Sequence, residues 1–234
     1  MTAAHPDDAG PALLAAQDRA EALFARAIDR GLLRPGATES ALSEEIHALA
    51  RAEFGVRRHW HQRVVRSGPN TVLGYGEPAP DRALKADDIL FLDFGPVFDG
   101  FEADLGRTYV LGDDPVKHRL AADLTATFAA ARRFYAASPA RTAGEMYDFA
   151  VAAAHERGWH FGATSAGHLV GRFPHEIAPA DEARFTIESG NGQRLDEPDE
   201  HGRPRHWILE LHFLEPERRW GGFVEELITV PRPG

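Results

Sequence analysis

The chain has 234 residues, 43% of them hydrophobic and 26% charged, enough for one large globular domain with a sizeable core. It has no cysteine, which excludes disulfides, thiolate catalysis and Cys-based zinc fingers. A net charge of −10 argues against nucleic acid as the main partner, no apolar run approaches the ~18–20 residues of a membrane span, and no signal-peptide pattern opens the chain, so a cytoplasmic location and no membrane partner are expected.

Residues 1–9 read as a loose tail ahead of a single domain over 10–234. From Pro11 to Asp29 an Ala-rich amphipathic pattern predicts a helix with Leu13, Ala16, Ala20, Leu23, Phe24 and Ala27 inward. Gly31 to Gly36 breaks it. Thr38 is the expected N-cap of a second helix over 40–54. Arg63 to Arg66 form a short strand, followed by a Pro- and Gly-rich stretch from Gly68 to Pro80.

Ile89 to Leu111 reads as a β-hairpin turning at Asp99-Gly100, a strong two-residue turn signal. With that turn, Asp93 faces Gly106 and Asp104 faces Gly95, so the two carboxylates share one face of the ribbon. A one-residue slip would separate them, and two unrelated surface acids are the bland alternative. Asp93, however, lies among Phe91, Leu92 and Phe94, where an ionised carboxylate needs a compensating cation. Two acids facing one spot would repel, so a metal ion is the economical explanation.

Helices are predicted over 115–137 and 143–157, then an irregular segment with short strands over 160–191. That segment holds two histidines in a Gly-rich run, His168 between Gly167 and Gly171, and His175 beyond Pro174. The polar stretch from Gln193 to Arg205 reads as an exposed loop that shapes the pocket together with Leu73 to Gly76. A last hairpin spans 206–230. A turn centred on Glu217-Arg218 sets Glu210 opposite Glu225; a three-residue loop would exchange Glu225 for Glu226. Ile208, Leu209, Leu211 and Leu214 around Glu210 favour a buried, compensated acid over a solvated face. Glu215 has the opposite parity. The order of elements suits an α+β fold, with helices covering one face of a curved antiparallel sheet.

Leu92-Asp-Phe-Gly95 with Asp104, Gly167-His-Leu-Val-Gly-Arg-Phe-Pro-His-Glu176 and Val224-Glu-Glu-Leu-Ile-Thr-Val230 form an ordered set. Together with Ser67-Gly-Pro-Asn70, the set resembles the pita-bread (creatinase/aminopeptidase) metallopeptidases. That superfamily contains methionine aminopeptidase, Xaa-Pro aminopeptidase, prolidase and creatinase. The resemblance implies that fold and five metal ligands, Asp93, Asp104, His168, Glu210 and Glu225. It implies two divalent ions (Mn, Fe, Co or Zn) about 3.5–4 Å apart. Glu210 would also handle the proton of the attacking water, and His175 would contact the substrate and its developing charge. The reaction implied is hydrolysis of an amide bond near a free N-terminus, with a peptide or small-amide substrate.

Two departures stand out. The substrate-contacting His expected just before Tyr75 is Gly74; Tyr75 remains, and His61 is a candidate to reach the substrate instead. The family's Glu-Pro pair falls at Glu215-Pro216, whereas hairpin parity selects Glu210, which is the reading adopted. The stretch before Arg63 is short for a domain with its own core, so the N-terminal domain the family often adds is expected to be missing. A creatinase-like enzyme on a non-peptide substrate, and a non-catalytic binding module, are the alternatives; a homodimer stays open.

Overall fold

The computed structural model describes residues 8–175 and 183–232. Of the expected tail over 1–9, Asp8 and Ala9 are described. The Asp8 carboxylate accepts the Gly10 N–H at 2.8 Å and pairs with His206 Nε2 at 2.9 Å, which ties it to the sheet.

Helix α1 (Gly10–Asp29) buries the predicted stripe and carries Pro11 in its first turn, where the missing N–H has no helical partner to lose. Helix α2 (Glu39–Phe54) is capped by Thr38, whose hydroxyl accepts from Ala41 N, and ends at Gly55, whose φ of 69° takes the left-handed C-cap. Strand β1 (Val64–Ser67) leads through a 3-10 turn to β2 (Ile89–Phe94). A small ribbon, β3 (Val97–Phe98) and β4 (Phe101–Glu102), precedes β5 (Leu105–Val110). Helix α3 (Pro115–Ala137) is capped by Asp114, and α4 (Ala143–Glu156) by a reciprocal Thr142–Glu145 capping box. Short strands β6 (His160–Phe161), β7 (Ser165–Val170) and β8 (Thr186–Glu188) follow, and β9 (His206–Leu214) and β10 (Gly221–Leu227) complete the order.

Eight strands form one sheet in the order β1-β2-β5-β10-β9-β7-β8, with β6 beside β9, and every pairing is antiparallel. The last strand therefore lies between β5 and β9, in the interior of the sheet. Period-2 alternation sorts the two faces. Leu90, Leu92, Phe94 and Leu105 pack under α1 and α2, and Leu209, Leu211, Phe213 and Val224 pack under α3 and α4. Phe91, Asp93, Gly106, Phe223, Glu225 and Glu210 have the opposite parity and line the helix-free face.

Two local readings are corrected. Gln193 to Arg205 is not simply an exposed loop. Leu195 is fully buried in the α3/α4 core, its N–H bonds to Arg141 O at 3.0 Å, and its carbonyl accepts Trp207 Nε1 at 3.1 Å. A lone apolar residue in a polar stretch gives no periodic signal to read. The hairpin ladder is also interrupted where Asp104 was expected to pair with Gly95. Gly95 O accepts Trp60 N at 2.9 Å instead, and Pro96 has no N–H to offer.

Candidate metal centre

One row across the sheet carries three acids. Asp93 on β2 pairs with Gly106 on β5, Gly106 with Glu225 on β10, and Glu225 with Glu210 on β9. Paired residues share a face, so all three carboxylates stand on the helix-free side. Gly106 lets the row close up, because a Cβ there would lie 2.4 Å from the Phe223 ring and 2.9 Å from Glu225 Cβ. Asp104 enters from the interrupted ladder. Asp93, Asp104 and Glu225 are 7%, 3% and 3% exposed, too deep for water to compensate three negative charges. Glu215 turns away and caps the β9–β10 turn, accepting Arg219 N at 2.8 Å and Glu217 N at 3.2 Å. Glu226 points to the helix side, where it pairs with Arg107 at 2.8 Å.

His168 arrives from β7. Gly167 allows the approach: its φ is 130°, and a Cβ would meet Ile208 O at 2.0 Å. His168 Nδ1–H donates to Leu169 O at 2.7 Å, which turns Nε2 toward the acids. Nε2 lies 3.4 Å from Asp104 Oδ2, 3.5 Å from Glu210 Oε1 and 3.9 Å from Glu225 Oε1. His61, on the connection after α2, sits on the other side of Asp104, with Nε2 3.0 Å from Asp104 Oδ1 and 3.6 Å from Asp93 Oδ1.

The electrostatics are those of a site short of positive charge. Burial and the neighbouring acids push Asp93 up to about 8 and Glu225 well above its ordinary value; burial also raises Glu210. Burial opposes the charge on His61 and His168, yet Asp104 overrides it and raises both to about 9. Asp104 is held below its ordinary value because the two imidazoles outweigh its burial. Asp93 Oδ1 and Glu225 Oε2 are buried with no hydrogen-bond partner among the described residues. Orphaned carboxylate oxygens, that of Asp93 3.6 Å from His61 Nε2, fit the oxygen-rich ligand set of a divalent cation.

The profile of metallopeptidase family M24 matches residues 12–199. The chain belongs to that family. It is 26% identical over 178 residues to an Xaa-Pro dipeptidase of Lactobacillus delbrueckii subsp. lactis, covering 76% of this chain and 46% of that protein. The fold is shared with a dipeptidase PepE from Mycobacterium ulcerans (25% identity, TM-score 0.71, 95% of this chain and 58% of that one). It is shared too with an Xaa-Pro dipeptidase from Bacillus anthracis (21% identity, TM-score 0.74, 97% and 62%). The chain thus spans about half the length of the curated relative it matches. The M24 match stops before β9, so the placement of Glu210 and Glu225 rests on strand register.

Around the acids this M24 chain has a cavity of about 620 Å³. Leu73, Gly74 and Tyr75 line it as expected, but no residue of 193–205 does; Ala163, Leu169, Phe185 and Thr186 stand there instead. Tyr75 accepts Gln62 N on its hydroxyl at 2.9 Å, and its ring is 5.8 Å from that of His61. His175 is at the rim, with Nδ1 against Glu102. Glu102 is 2% exposed and also accepts His175 N at 3.2 Å and Gly171 N at 3.1 Å. Trp60 packs edge-on against His61, His168 and His175, with centroids 4.6, 5.6 and 5.6 Å away, and gives Nε1–H to Ala103 O at 2.9 Å. Sequence reasoning missed Trp60 and Glu102. The only signals were an aromatic residue between two histidines and a further acid in a hairpin that already held Asp93, Asp99 and Asp104. Glu176, the end of the His168–His175 motif, lies outside the described residues.

Proposed function

We propose that this chain is a metal-dependent hydrolase that cleaves an amide bond next to a free N-terminus, of the Xaa-Pro dipeptidase or aminopeptidase type. The observation that carries the reading is the convergence of Asp93, Asp104, His168, Glu210 and Glu225 on the wall of one cavity, two of their buried oxygens without a hydrogen-bond partner among the described residues. In this reading those five residues would hold two divalent cations. Bound cations supply Lewis acidity toward a carbonyl and make a water molecule more acidic.

Glu210 is the least buried of the four acids and faces the cavity. It accepts the proton of the attacking water and returns it to the departing amine. His175, held at Nδ1 by the Glu102 carboxylate, presents Nε2 to the substrate, and as the imidazolium that this carboxylate stabilises it donates Nε2–H toward the charge that develops on the carbonyl oxygen. Trp60, Leu73, Leu169 and Phe185 give the cavity apolar walls that exclude water and receive a side chain.

One observation supports a second reading, a small non-peptide amide as substrate: Gly74 offers no side chain where the family's substrate-contacting His is expected. Protein stripped with a chelator, reloaded with Mn, Fe, Co or Zn, and assayed on Xaa-Pro dipeptides, Met- and Ala-peptides and small amides separates the two. The peptide reading expects metal-dependent release of an N-terminal residue, abolished by Asp93→Ala or His168→Ala. Wild-type turnover in either variant rejects the metal assignment.

A further inference from the structure

His61 belongs to none of the segments that carry the family resemblance, and the sequence reading gives it a substrate contact at most. Its Nε2 nevertheless points at the acids. We infer that His61 is itself a metal ligand, a second imidazole that serves the Asp93 side of the centre as His168 serves the Glu210 side. The inference rests on the divalent-metal reading above and deepens it.

Two groups of candidate ligand atoms meet here, each within 4.8 Å: His61 with Asp93 and Asp104, and His168 with Asp104 and Glu225. Asp104 is common to both and gives one oxygen to each ring, Oδ1 to His61 at 3.0 Å and Oδ2 to His168 at 3.4 Å. The rings are presented in the same way. His61 Nδ1 lies 2.8 Å from Gln62 O and His168 Nδ1 lies 2.7 Å from Leu169 O, in each case the carbonyl of the next residue. A carbonyl only accepts, so Nδ1 carries hydrogen, and in the neutral ring Nε2 offers its lone pair to the carboxylates. That tautomer, fixed by a backbone carbonyl, is the usual preparation of a metal-bound histidine.

A divalent cation lying between Nε2 and the carboxylates takes the place of the proton that otherwise joins them, and Nε2 then binds it through its lone pair. Ligands bound at about 2.0–2.2 Å to one ion stand roughly 3.0–3.5 Å apart at angles between square and tetrahedral. The separations of His61 Nε2 from Asp104 Oδ1 and Asp93 Oδ1, 3.0 and 3.6 Å, match that spacing. The Asp93 oxygen is the one that lacks a hydrogen-bond partner among the described residues.

The fold makes room for this ring. A Cβ on Gly95 would fall 2.1 Å from His61 and 2.5 Å from Trp60, so both rings occupy space that only glycine leaves at the interrupted ladder. With its side chain only 10% exposed, His61 is a fixed element of the wall and not a loop residue waiting for substrate. One imidazole per cation, in place of one for the pair, shifts preference away from Mn and Mg toward Zn, Co and Ni.

The test uses the full chain, stripped and reloaded with Co(II). X-ray absorption counts imidazoles per metal, and calorimetry with elemental analysis gives stoichiometry and affinity. Wild type is expected to hold two Co(II) with about one imidazole per ion. His61→Ala should keep about half that count, with affinity for one ion weakened by about 10–100-fold or more. If His61→Ala keeps both ions at wild-type affinity with an unchanged Co(II) visible spectrum, while His168→Ala does not, His61 is no ligand and the metal reading stands. If wild type takes up no divalent ion, the metal reading falls with it. Should His61→Ala misfold by circular dichroism, the wild-type count decides alone: about one imidazole per ion supports the inference, and one per two ions overturns it.

Discussion

Glu102 grips His175 from two directions, taking its backbone N–H on one carboxylate oxygen at 3.2 Å and meeting its ring at Nδ1 with the other. The ring cannot turn without losing the second contact. Glu102→Ala is therefore expected to lower kcat about 10–100-fold with KM near wild type. In a double-mutant cycle its effect should largely vanish on a His175→Ala background. Additive losses would show that Glu102 does not act through His175.

Gly106→Ala tests the row of acids. The new methyl must displace Phe223 or Glu225, since it would lie 2.4 Å from the Phe223 ring. Overpacking of this kind costs about 1–3 kcal/mol. The expected signature is a Tm lower by several degrees with a larger, at least tenfold, loss of metal affinity, measured by thermal denaturation and calorimetry. A variant that binds metal normally would mean the row tolerates a side chain.

Chelation should destabilise the fold. Three acids at most 7% exposed lose their compensation when cations leave. A ligand held at a free concentration 100 times its Kd stabilises by about 2.7 kcal/mol. Tm is expected to fall by about 5–10 °C in EDTA and to recover on adding Zn(II) or Co(II). An unchanged Tm would argue that no cation binds this centre.

Glu39 anchors α2 to the turn after β1. Its carboxylate accepts Ser67 N at 2.6 Å, Ser67 Oγ at 2.7 Å and Asn70 Nδ2 at 2.8 Å, and burial raises its pKa. Glu39→Ala strands buried donors and is expected to cost about 3 kcal/mol in urea denaturation. A cost under about 0.5 kcal/mol would mean that water replaces the carboxylate.

His206 should make the fold acid-sensitive. Its Nε2 donates to Asp8, its Nδ1 is buried without a partner among the described residues, and burial lowers its pKa although Asp8 opposes this. The unfolded imidazole, titrating near pH 6.5, then binds protons more readily than the folded one. Stability is complete above about pH 6.5 and declines as pH drops below it, by at most about 1.4 kcal/mol per pH unit. His206→Gln is expected to flatten urea midpoints between pH 7.5 and 5.5; an unchanged slope would assign the acid sensitivity to other groups.

The strand alternation and two turn signals carried most of what could be read in advance. Asp99 and Arg218 do take positive φ, 53° and 54°, at the centres of the two hairpins, and the resulting registers set Asp93 opposite Gly106 and Glu210 opposite Glu225. The starts of the first two helices followed from Pro11 and Thr38, whose effects are local, whereas the caps at Asp114 and Thr142 emerged only in the structure. What could not be read depends on contacts between distant segments. The place of Trp60 and His61 is set by an opening at Gly95 and Pro96, and the burial of Leu195 by Arg141 and Trp207. The position of β10 between β5 and β9 is likewise a sheet-order property to which no single strand testifies.

That strand order has a temporal consequence. Asp93 and Glu210 are joined only through Gly106 and Glu225, so the acids stay on separate pieces of sheet until β10 slots in. Long-range pairing of this kind is slow to form, because chain entropy must be spent first. On the proposed metal reading, competence to capture cations would be acquired late in folding, and the appearance of tight metal uptake during refolding would serve as a clock for closure of the sheet.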